Sequence, residues 1–483
     1  MALRCCFITA ELAPLVKAGG LADAAGALSA ALHEGGVDLR LFLPCYADLD
    51  RTGLAVRPEA GHADLELAIA GQPYRYSILR ATRPAAPDVL LVDSPALFGR
   101  PGIYGEEQDE HRRFLLLCRA ALEYCVRSGF APQVVHCHDW HTALVPTLLR
   151  HAYAGQPALA AARSLLTVHN LGYQGVLPAR AAAARALPLD ALDADQLAAG
   201  RVNLLLQGLR DADLVSTVSP TYAAEIATPE EGMGLDATLR ARPEPVVGIL
   251  NGVDYTTWDP VTDRHLPHRY SADDLGGKLR MRAALCTRLG LEPPPRSLLL
   301  GLVSRLVWQK GIDLLDGAFD HLLDAGRVAL AAVGSGDPAI ESLLRSLERR
   351  FPGRVAFSRG YDEPLAHWIE AGADAFLMPS RYEPCGLNQL YSLRYGTVPI
   401  VRRTGGLADS VRHFDPATGE GTGIVFNDAD VAAVRWAVET AVAWHADPAL
   451  WQRLVRNGMR EDFSWQRQVG EYLRLYERLA RPR

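Results

Sequence analysis

Arg305 and Lys310 lie in Ser304-Arg-Leu-Val-Trp-Gln-Lys-Gly311, a short loop between an apolar run and a helical pattern. Their combined charge matches a diphosphate. A charge-assisted hydrogen bond contributes about 1.5–3 kcal/mol, so the pair suits holding a nucleotide diphosphate and stabilising it as it leaves; two solvated surface cations are the plainer alternative. Glu383 sits in Ser380-Arg-Tyr-Glu-Pro-Cys-Gly-Leu-Asn-Gln-Leu390. Pro384 restrains it to an extended conformation, and Gly386 is expected to open a helix. The carboxylate then projects at a loop tip, where it could bind sugar hydroxyls or face a growing positive charge; the plainer reading is a surface glutamate ahead of a helix. Gly-Gly-Leu-Ala-Asp occurs at 19–23 and again at 405–409. Paired glycines at a helix N-terminus let backbone approach an anion, although an ordinary strand-to-helix turn uses the same residues. His136, His138 and His141 have the spacing of a metal cluster but lack a clear carboxylate set, and Asp139 reads as an N-cap. No metal site is expected from them.

These residues need elements to position them. Apolar runs at 3–9, 39–43, 134–138, 164–168, 214–218 and 246–250 read as buried strands, with helical patterns at 20–34 and 142–151. After residue 290 the rhythm restarts: strands at 298–303, 328–333, 355–358, 375–378 and 398–401 alternate with helices at 311–325, 338–350, 364–371 and 386–395. Near-continuous apolar strands alternating with helices imply parallel sheets covered on both faces. The fold class is therefore α/β, with two Rossmann-like units: 1–247, and 248–463 as the nucleotide-sugar side, with an amphipathic helix in 464–483 packing back on the first. Residues 251–270 read as a polar crossover rather than core.

Ligands of doubly wound sheets bind beyond the carboxyl ends of the strands. Lys17, Gly19 and Gly20 follow the first strand. His138, Asp139, Trp140 and His141 follow another, and His169 and Asn170 the next. In the second half Arg305 and Lys310, then Glu383, then Thr404, Gly405 and Gly406 occupy equivalent places. Reactive residue types gather at one edge of both halves, as a cleft between two facing sheets would require.

Composition excludes several other classes. The chain has 483 residues and a formal charge of −6, which argues against nucleic acid or an anionic membrane as its main partner. Hydrophobic residues make up 49 % and charged residues 22 %, a globular balance far from that of disorder. No stretch approaches the ~20 apolar residues of a membrane span, and no secretory signal is legible at the N-terminus. The eight cysteines, several inside apolar runs, read as reduced and buried in a cytoplasmic protein. The absence of GxxxxGK[ST], and of GxGxxG after the first strand, argues against P-loop and nicotinamide chemistry.

The motifs together resemble the bacterial glycogen synthase (starch synthase) family of retaining GT-B glycosyltransferases. They run from Glu11…Lys17-Ala-Gly-Gly-Leu-Ala-Asp23 through His138-Asp-Trp-His141, Thr167-Val-His-Asn170, Thr217-Val-Ser-Pro-Thr-Tyr222 and Leu250-Asn-Gly-Val-Asp254. Ser304-Arg-Leu…Gln-Lys-Gly311, Pro379-Ser-Arg-Tyr-Glu-Pro-Cys-Gly-Leu387, Arg403-Thr-Gly-Gly-Leu-Ala-Asp409 and Asp462-Phe-Ser-Trp465 complete the series, covering nearly the whole chain. The resemblance implies transfer of glucose from ADP-glucose to the non-reducing 4-hydroxyl of an α-1,4-glucan, with retention and without a cofactor or metal. Front-face attack and double displacement both remain open at this point, and the sequence does not indicate an oligomeric state.

By the same resemblance His169, Arg305, Lys310 and Glu383 are the catalytic residues. Lys17, Gly19, Gly20, Asp139, Asn170, Asn251, Thr404, Gly405, Gly406 and Tyr104 line the donor site. Many related enzymes carry a second glutamate eight residues after the first; here Tyr391 stands there, which favours this branch over sucrose- or lipid-linked relatives. Asn388 replaces a common threonine, and Val307 and Trp308 replace smaller or more polar residues. A sucrose-synthase-like transferase and a non-catalytic glucan-binding protein are the alternatives.

Overall fold

The first strand, β1 (Arg4–Ile8), is buried from Cys5 onward and has a parallel partner on each side. Such a strand needs apolar residues on both faces, which is why Cys-Cys-Phe-Ile reads as a continuous run rather than an alternation. The computed structural model describes residues 2–481 apart from 70, 85, 106–108 and 181–190. Contacts divide the chain into two units, Met1–Gly252 with Trp465–Arg483, and Val253–Ser464.

In the first unit β1 is followed by β2 (Asp38–Pro44), β3 (Ala55–Pro58), β4 (Leu65–Ile69), β5 (Gln72–Thr82) and β6 (Val89–Asp93). Then come β7 (Val134–His138), β8 (Arg163–Val168), the small ribbon of β9 (Val176–Pro178) and β10 (Arg201–Asn203), β11 (Leu214–Thr217) and β12 (Val247–Gly248). The main sheet runs β12-β11-β8-β7-β1-β2-β6-β5-β3, with β4 against β5. Every pairing from β12 to β6 is parallel, whereas β5 is antiparallel to its neighbours. Chain order runs outward from β1 in both directions, so a topological switch point lies between β1 and β7.

The helix Trp465–Ala480 packs in this unit. It buries Trp465, Tyr472, Leu475, Tyr476 and Leu479, a stripe of helical period. The Tyr476 hydroxyl lies 2.8 Å from His136 Nδ1. Gly252 passes under the Trp465 indole, where an added Cβ would fall 2.7 Å from Cγ.

The second unit holds β13 (Leu298–Leu306), β14 (Val328–Gly336), β15 (Val355–Arg359), β16 (Ala375–Met378), β17 (Val398–Arg402) and β18 (Ile424–Phe426). Their order is β15-β14-β13-β16-β17-β18, all parallel. Here the switch point falls between β13 and β16. Each unit is thus a doubly wound α/β sheet.

Several expectations need correction. The helix expected at 311–325 is instead two 3-10 turns, Trp308–Lys310 and Ile312–Leu315, and a short helix, Asp320–Asp324. Gly311 and Gly317 both adopt positive φ, +65° and +68°, which α-helix cannot contain. The helix expected at 142–151 is two pieces, Asp139–Thr142 and Val145–His151. The strand expected at 246–250 pairs only through β12.

Residues 251–270 are not merely a crossover, because Val253, Trp258, Leu266 and Tyr270 join the core of the second unit. Their backbone can be buried without a regular element because Asp254, Asp259 and Asp263 accept the amides of Thr256, Val261 and His265. Finally, the antiparallel edge at 55–82 has no counterpart in the sequence reading.

Candidate active site

In the first unit the loop after β1 is held by Glu11. Its Oε2 accepts the amides of Ala18 and Gly19 at 2.8 and 2.9 Å, and its Oε1 accepts the Tyr104 hydroxyl at 2.5 Å. Gly19 caps the helix Gly20–Glu34. A Cβ added at Gly19 would meet nothing within 4 Å, so the backbone faces open space there. Lys17 reaches Asp23 at 2.8 Å across the same turn.

Across the switch point, β7 ends on His138 and Asp139. Asp139 is not an N-cap: its φ is +54°, and its Oδ1 accepts the amides of His169 and Asn170, at 2.6 and 3.2 Å, at the end of neighbouring β8. A carboxylate at the end of one parallel strand can reach the free amides following the next strand, as well as those of its own helix. Burial pushes the Asp139 carboxyl up to about 7, partly offset by those two amides.

His138 Nδ1 and His169 Nε2 lie 3.0 Å apart. Desolvation moves the His169 imidazole down to about 3, so it is neutral near pH 7. A neutral ring there offers hydrogen bonds rather than charge. His141 is likewise pushed down to about 3 by burial, and stacks on Tyr104 with centroids 5.0 Å apart. Asn170 Oδ1 accepts the Gly172 amide at 2.9 Å and shapes its own loop. Asn251 is buried, and its Oδ1 has no hydrogen-bond partner among the described residues. His136 spends one nitrogen on Tyr476 and the other on Thr167, at 2.8 and 2.7 Å, which leaves it no lone pair for a metal.

In the second unit, Arg305 is exposed near the end of β13, and Lys310 follows in the 3-10 turn. Lys310 Nζ meets Glu383 Oε2 at 2.5 Å, and Ser380 Oγ donates to the same oxygen at 2.9 Å. Glu383 is therefore buried rather than projecting at an exposed loop tip. Gly386 does not open the helix either. Its φ is +70°, and the helix is Asn388–Tyr395. The loop after β16 folds inward because Lys310, on the loop after β13, offers the buried carboxylate a cation across the switch point.

Thr404 is buried and caps the helix Gly405–Ser410. Gly405 has φ +42°, and its Cβ would fall 1.9 Å from the Glu383 carbonyl oxygen. That of Gly406 would fall 2.1 Å from the Cys385 carbonyl oxygen. The glycines thus let the loops after β16 and β17 touch backbone to backbone, which sets the height of Glu383.

Some details lie outside what the sequence reading assigned. Glu11 and Ser380 are positioning groups within motifs it recognised. Arg381 forms a double ion pair with Asp313, both contacts at 2.7 Å, and stacks 4.9 Å over the exposed Trp308 ring. Trp308 is held outward on that loop. Tyr391, at the position of the second glutamate, stacks on Trp258 at 3.9 Å in the unit's core. Asn388 Nδ2 donates to the Val303 carbonyl at 2.6 Å, tying its helix to β13.

The geometry can bind anions and sugar hydroxyls at two switch points: neutral imidazoles, amides and a shared carboxylate in one unit, a cation–carboxylate pair in the other. Among the described residues no helix is long and apolar enough to cross a membrane.

Comparison with known proteins gives this chemistry a family. The family model described as "Starch synthase catalytic domain" matches residues 4–241, and that described as "Glycosyl transferases group 1" matches residues 290–458. The chain is 46 % identical over 481 residues to a glycogen synthase of Anaeromyxobacter sp. (strain Fw109-5), covering 99 % of each. It is 45 % identical to one of Thioalkalivibrio sulfidiphilus, covering 99 % of this chain and 100 % of that one. Among solved structures, the catalytic domain of Starch Synthase IV from Arabidopsis thaliana bound to ADP and acarbose is similar, with TM-score 0.91, 36 % identity and coverage of 99 % and 100 %. A sucrose-phosphate synthase from Thermosynechococcus elongatus shares the fold, with TM-score 0.62, 20 % identity and 99 % coverage of both chains.

Proposed function

Because the chain belongs to the glycogen synthase (starch synthase) family of glycosyltransferases, and so transfers glucosyl units from a nucleotide sugar to a growing α-glucan, we propose that its donor is ADP-glucose. The acceptor in this reading is the non-reducing 4-hydroxyl of an α-1,4-glucan, and configuration is retained. The ADP bound by the Arabidopsis relative supports the choice of nucleotide. The observation that carries the assignment of roles is the Lys310–Glu383 contact of 2.5 Å at the second unit's switch point. It puts a cation and a carboxylate together where a doubly wound sheet binds its ligand.

Arg305 and Lys310 bind the diphosphate and stabilise the charge that develops as the anomeric C–O bond breaks. Lys310 spends one N–H on Glu383, leaving two for phosphate oxygens. Glu383 orients the glucose and faces the positive charge growing at the anomeric carbon. Thr404, Gly405 and Gly406 support the diphosphate. Lys17, Gly19 and Gly20 supply the amide-lined loop near the phosphates, while His169, Asn170, Asn251, Asp139 and Tyr104 act on the sugar. Asn251 Oδ1 is suited to accept from a sugar hydroxyl, since a buried acceptor without a partner costs about 1–3 kcal/mol.

The acceptor oxygen attacks from the face the phosphate leaves, and the departing phosphate oxygen takes its proton. Double displacement would require a nucleophilic carboxylate on the opposite face. Glu11 has both oxygens committed to the loop, and Asp139 is held by two amides, so neither is favoured as that nucleophile. The eight cysteines are buried and none is joined in a disulfide, which suits a reducing compartment, and the proposed location is the cytoplasm.

Purified protein with glycogen and either ADP-glucose or UDP-glucose tests the proposal, through released nucleotide and glucan chain length. ADP-glucose is expected to give the higher kcat/KM by about tenfold or more, a difference of about 1.4 kcal/mol. Equal use of UDP-glucose would overturn the donor assignment, and nucleotide release without chain growth would overturn the acceptor.

A further inference from the structure

We propose that His265, Glu363 and His367 form a site for one divalent transition-metal ion of the zinc type, which fastens the irregular segment 253–270 to the helix Glu363–Gly372 within the second unit. The three side chains can each present a ligand atom, and these atoms lie within 4.8 Å of one another.

The independent observation is at His367, whose ring is fully buried. Its Nδ1 lies 2.7 Å from Asp263 Oδ2. A carboxylate oxygen only accepts, so Nδ1 donates to it, and in the Nδ1–H tautomer Nε2 presents its lone pair. That Nε2 is buried and finds no hydrogen-bond partner among the described residues. A bare acceptor costs free energy when enclosed, and a metal ion is the partner that a neutral imidazole nitrogen in this tautomer serves best.

The surroundings are those of a supported ligand. Asp263 also accepts the Tyr395 hydroxyl at 2.6 Å and the His265 amide at 2.8 Å, so one carboxylate orients both histidine-bearing segments. A carboxylate behind a ligating imidazole fixes the tautomer and raises its basicity. Trp258 stacks on the His367 ring at 3.7 Å and 8°, which holds its plane. Trp368 Nε1 donates to the His265 carbonyl at 2.7 Å and anchors the loop. His265 and His367 have ring centroids 4.5 Å apart.

Glu363 stands one helical turn before His367, on the same side of the helix. Ligands at about 2.0–2.2 Å from zinc sit roughly 3.4 Å apart, so His265 and the solvent-accessible Glu363 must close by up to about 1.4 Å. The ion would also displace Arg264 Nε, a long 3.4 Å contact to His265 Nε2. Two imidazoles and one carboxylate favour zinc-type ions over magnesium or calcium, and leave one position for water. The role is structural: the ion ties down a segment that no strand or long helix secures.

Chelator-treated full-length protein, titrated with zinc chloride by calorimetry and with cobalt(II) by visible absorption, tests the site. One zinc per chain is expected, with a cobalt d–d spectrum and a higher Tm on metal binding. His367→Ala removes a buried, stacked ring and is expected to disturb folding, so the solvent-accessible partners carry the test. His265→Ala and Glu363→Gln should each keep the native circular dichroism and weaken zinc binding by about tenfold or more. No stoichiometric zinc by about 100 µM, or an affinity changed less than that in either folded variant, overturns the proposal.

Discussion

Residues 19–23 and 405–409 have the same five amino acids, yet the two units use them in different registers. In the first copy Gly19 is the cap, its φ of −159° is ordinary extended backbone, and an added Cβ would touch nothing within 4 Å. In the second, Gly405 is already the first helical residue, its φ is +42°, and its Cβ would collide with the Glu383 carbonyl at 1.9 Å. The first pair of glycines leaves room above a loop held by Glu11, whereas the second brings two loops of the protein together. The titratable groups divide in the same way. In the first unit desolvation keeps His169 neutral and Asp139 hard to ionise, while in the second a lysine and a glutamate compensate each other. One unit is built to offer hydrogen bonds, the other to offer charge.

That contrast can be broken most severely at its charged end. Lys310→Ala is expected to lower kcat by about 10³-fold, since it removes a cation from a site of developing negative charge. Steady-state ADP release measures this, with circular dichroism to confirm the fold. It also leaves Glu383 buried without its cation, so Lys310→Ala/Glu383→Gln should regain stability but not turnover. A Lys310→Ala enzyme with most of its kcat would remove this residue from the mechanism.

The two glycine pairs give the next largest difference. Gly405→Ala should lose about 3 kcal/mol or more in urea unfolding, because positive φ and a backbone clash act together. Gly19→Ala should stay within about 0.5 kcal/mol. Similar losses at both positions would mean that the two copies are used alike.

Asp139 sharpens the electrostatic half of the comparison. Its carboxyl is raised from 3.8 to about 7 on folding, so the folded state binds the extra proton between those values. Stability from this group is complete below about pH 4 and is lost as pH rises to about 7. Wild type should therefore lose on the order of 4 kcal/mol relative to Asp139→Asn across that window, and no more above it. A difference independent of pH would show that burial does not govern this carboxyl.

The smallest effect is expected at His169. With its imidazole pushed down to about 3, the ring stays neutral from about pH 5 upward. His169→Gln should lower kcat yet leave the shape of the pH–kcat curve from about pH 5 to 8 unchanged. Loss of an acid limb in the variant would show that the histidine titrates during turnover.

Much of this was legible along the chain. Fully buried parallel strands have no solvent face, so they appear as unbroken apolar runs, and β7, β16 and the helices Gly20–Glu34 and Pro338–Arg350 fall where the sequence reading put them. The antiparallel edge was not legible, because β3 is exposed throughout and carries no burial pattern to read. Local helical periodicity also misled at 311–325, where Gly317 at φ +68° interrupts a stretch whose composition suits a helix.

The sequence by itself determined which reactive groups follow which strand, and so which groups each sheet gathers at its carboxyl edge. Only the tertiary structure decided what those groups pair with. Asp139 leaves its own helix for the amides after β8, Glu383 turns inward to Lys310, and His367 keeps one nitrogen bare beside Asp263. The place of each strand along the chain is written in hydrophobic patterning, which is local. A buried charge or lone pair instead finds its partner across neighbouring strands and loops, through distances and desolvation that no linear spacing encodes.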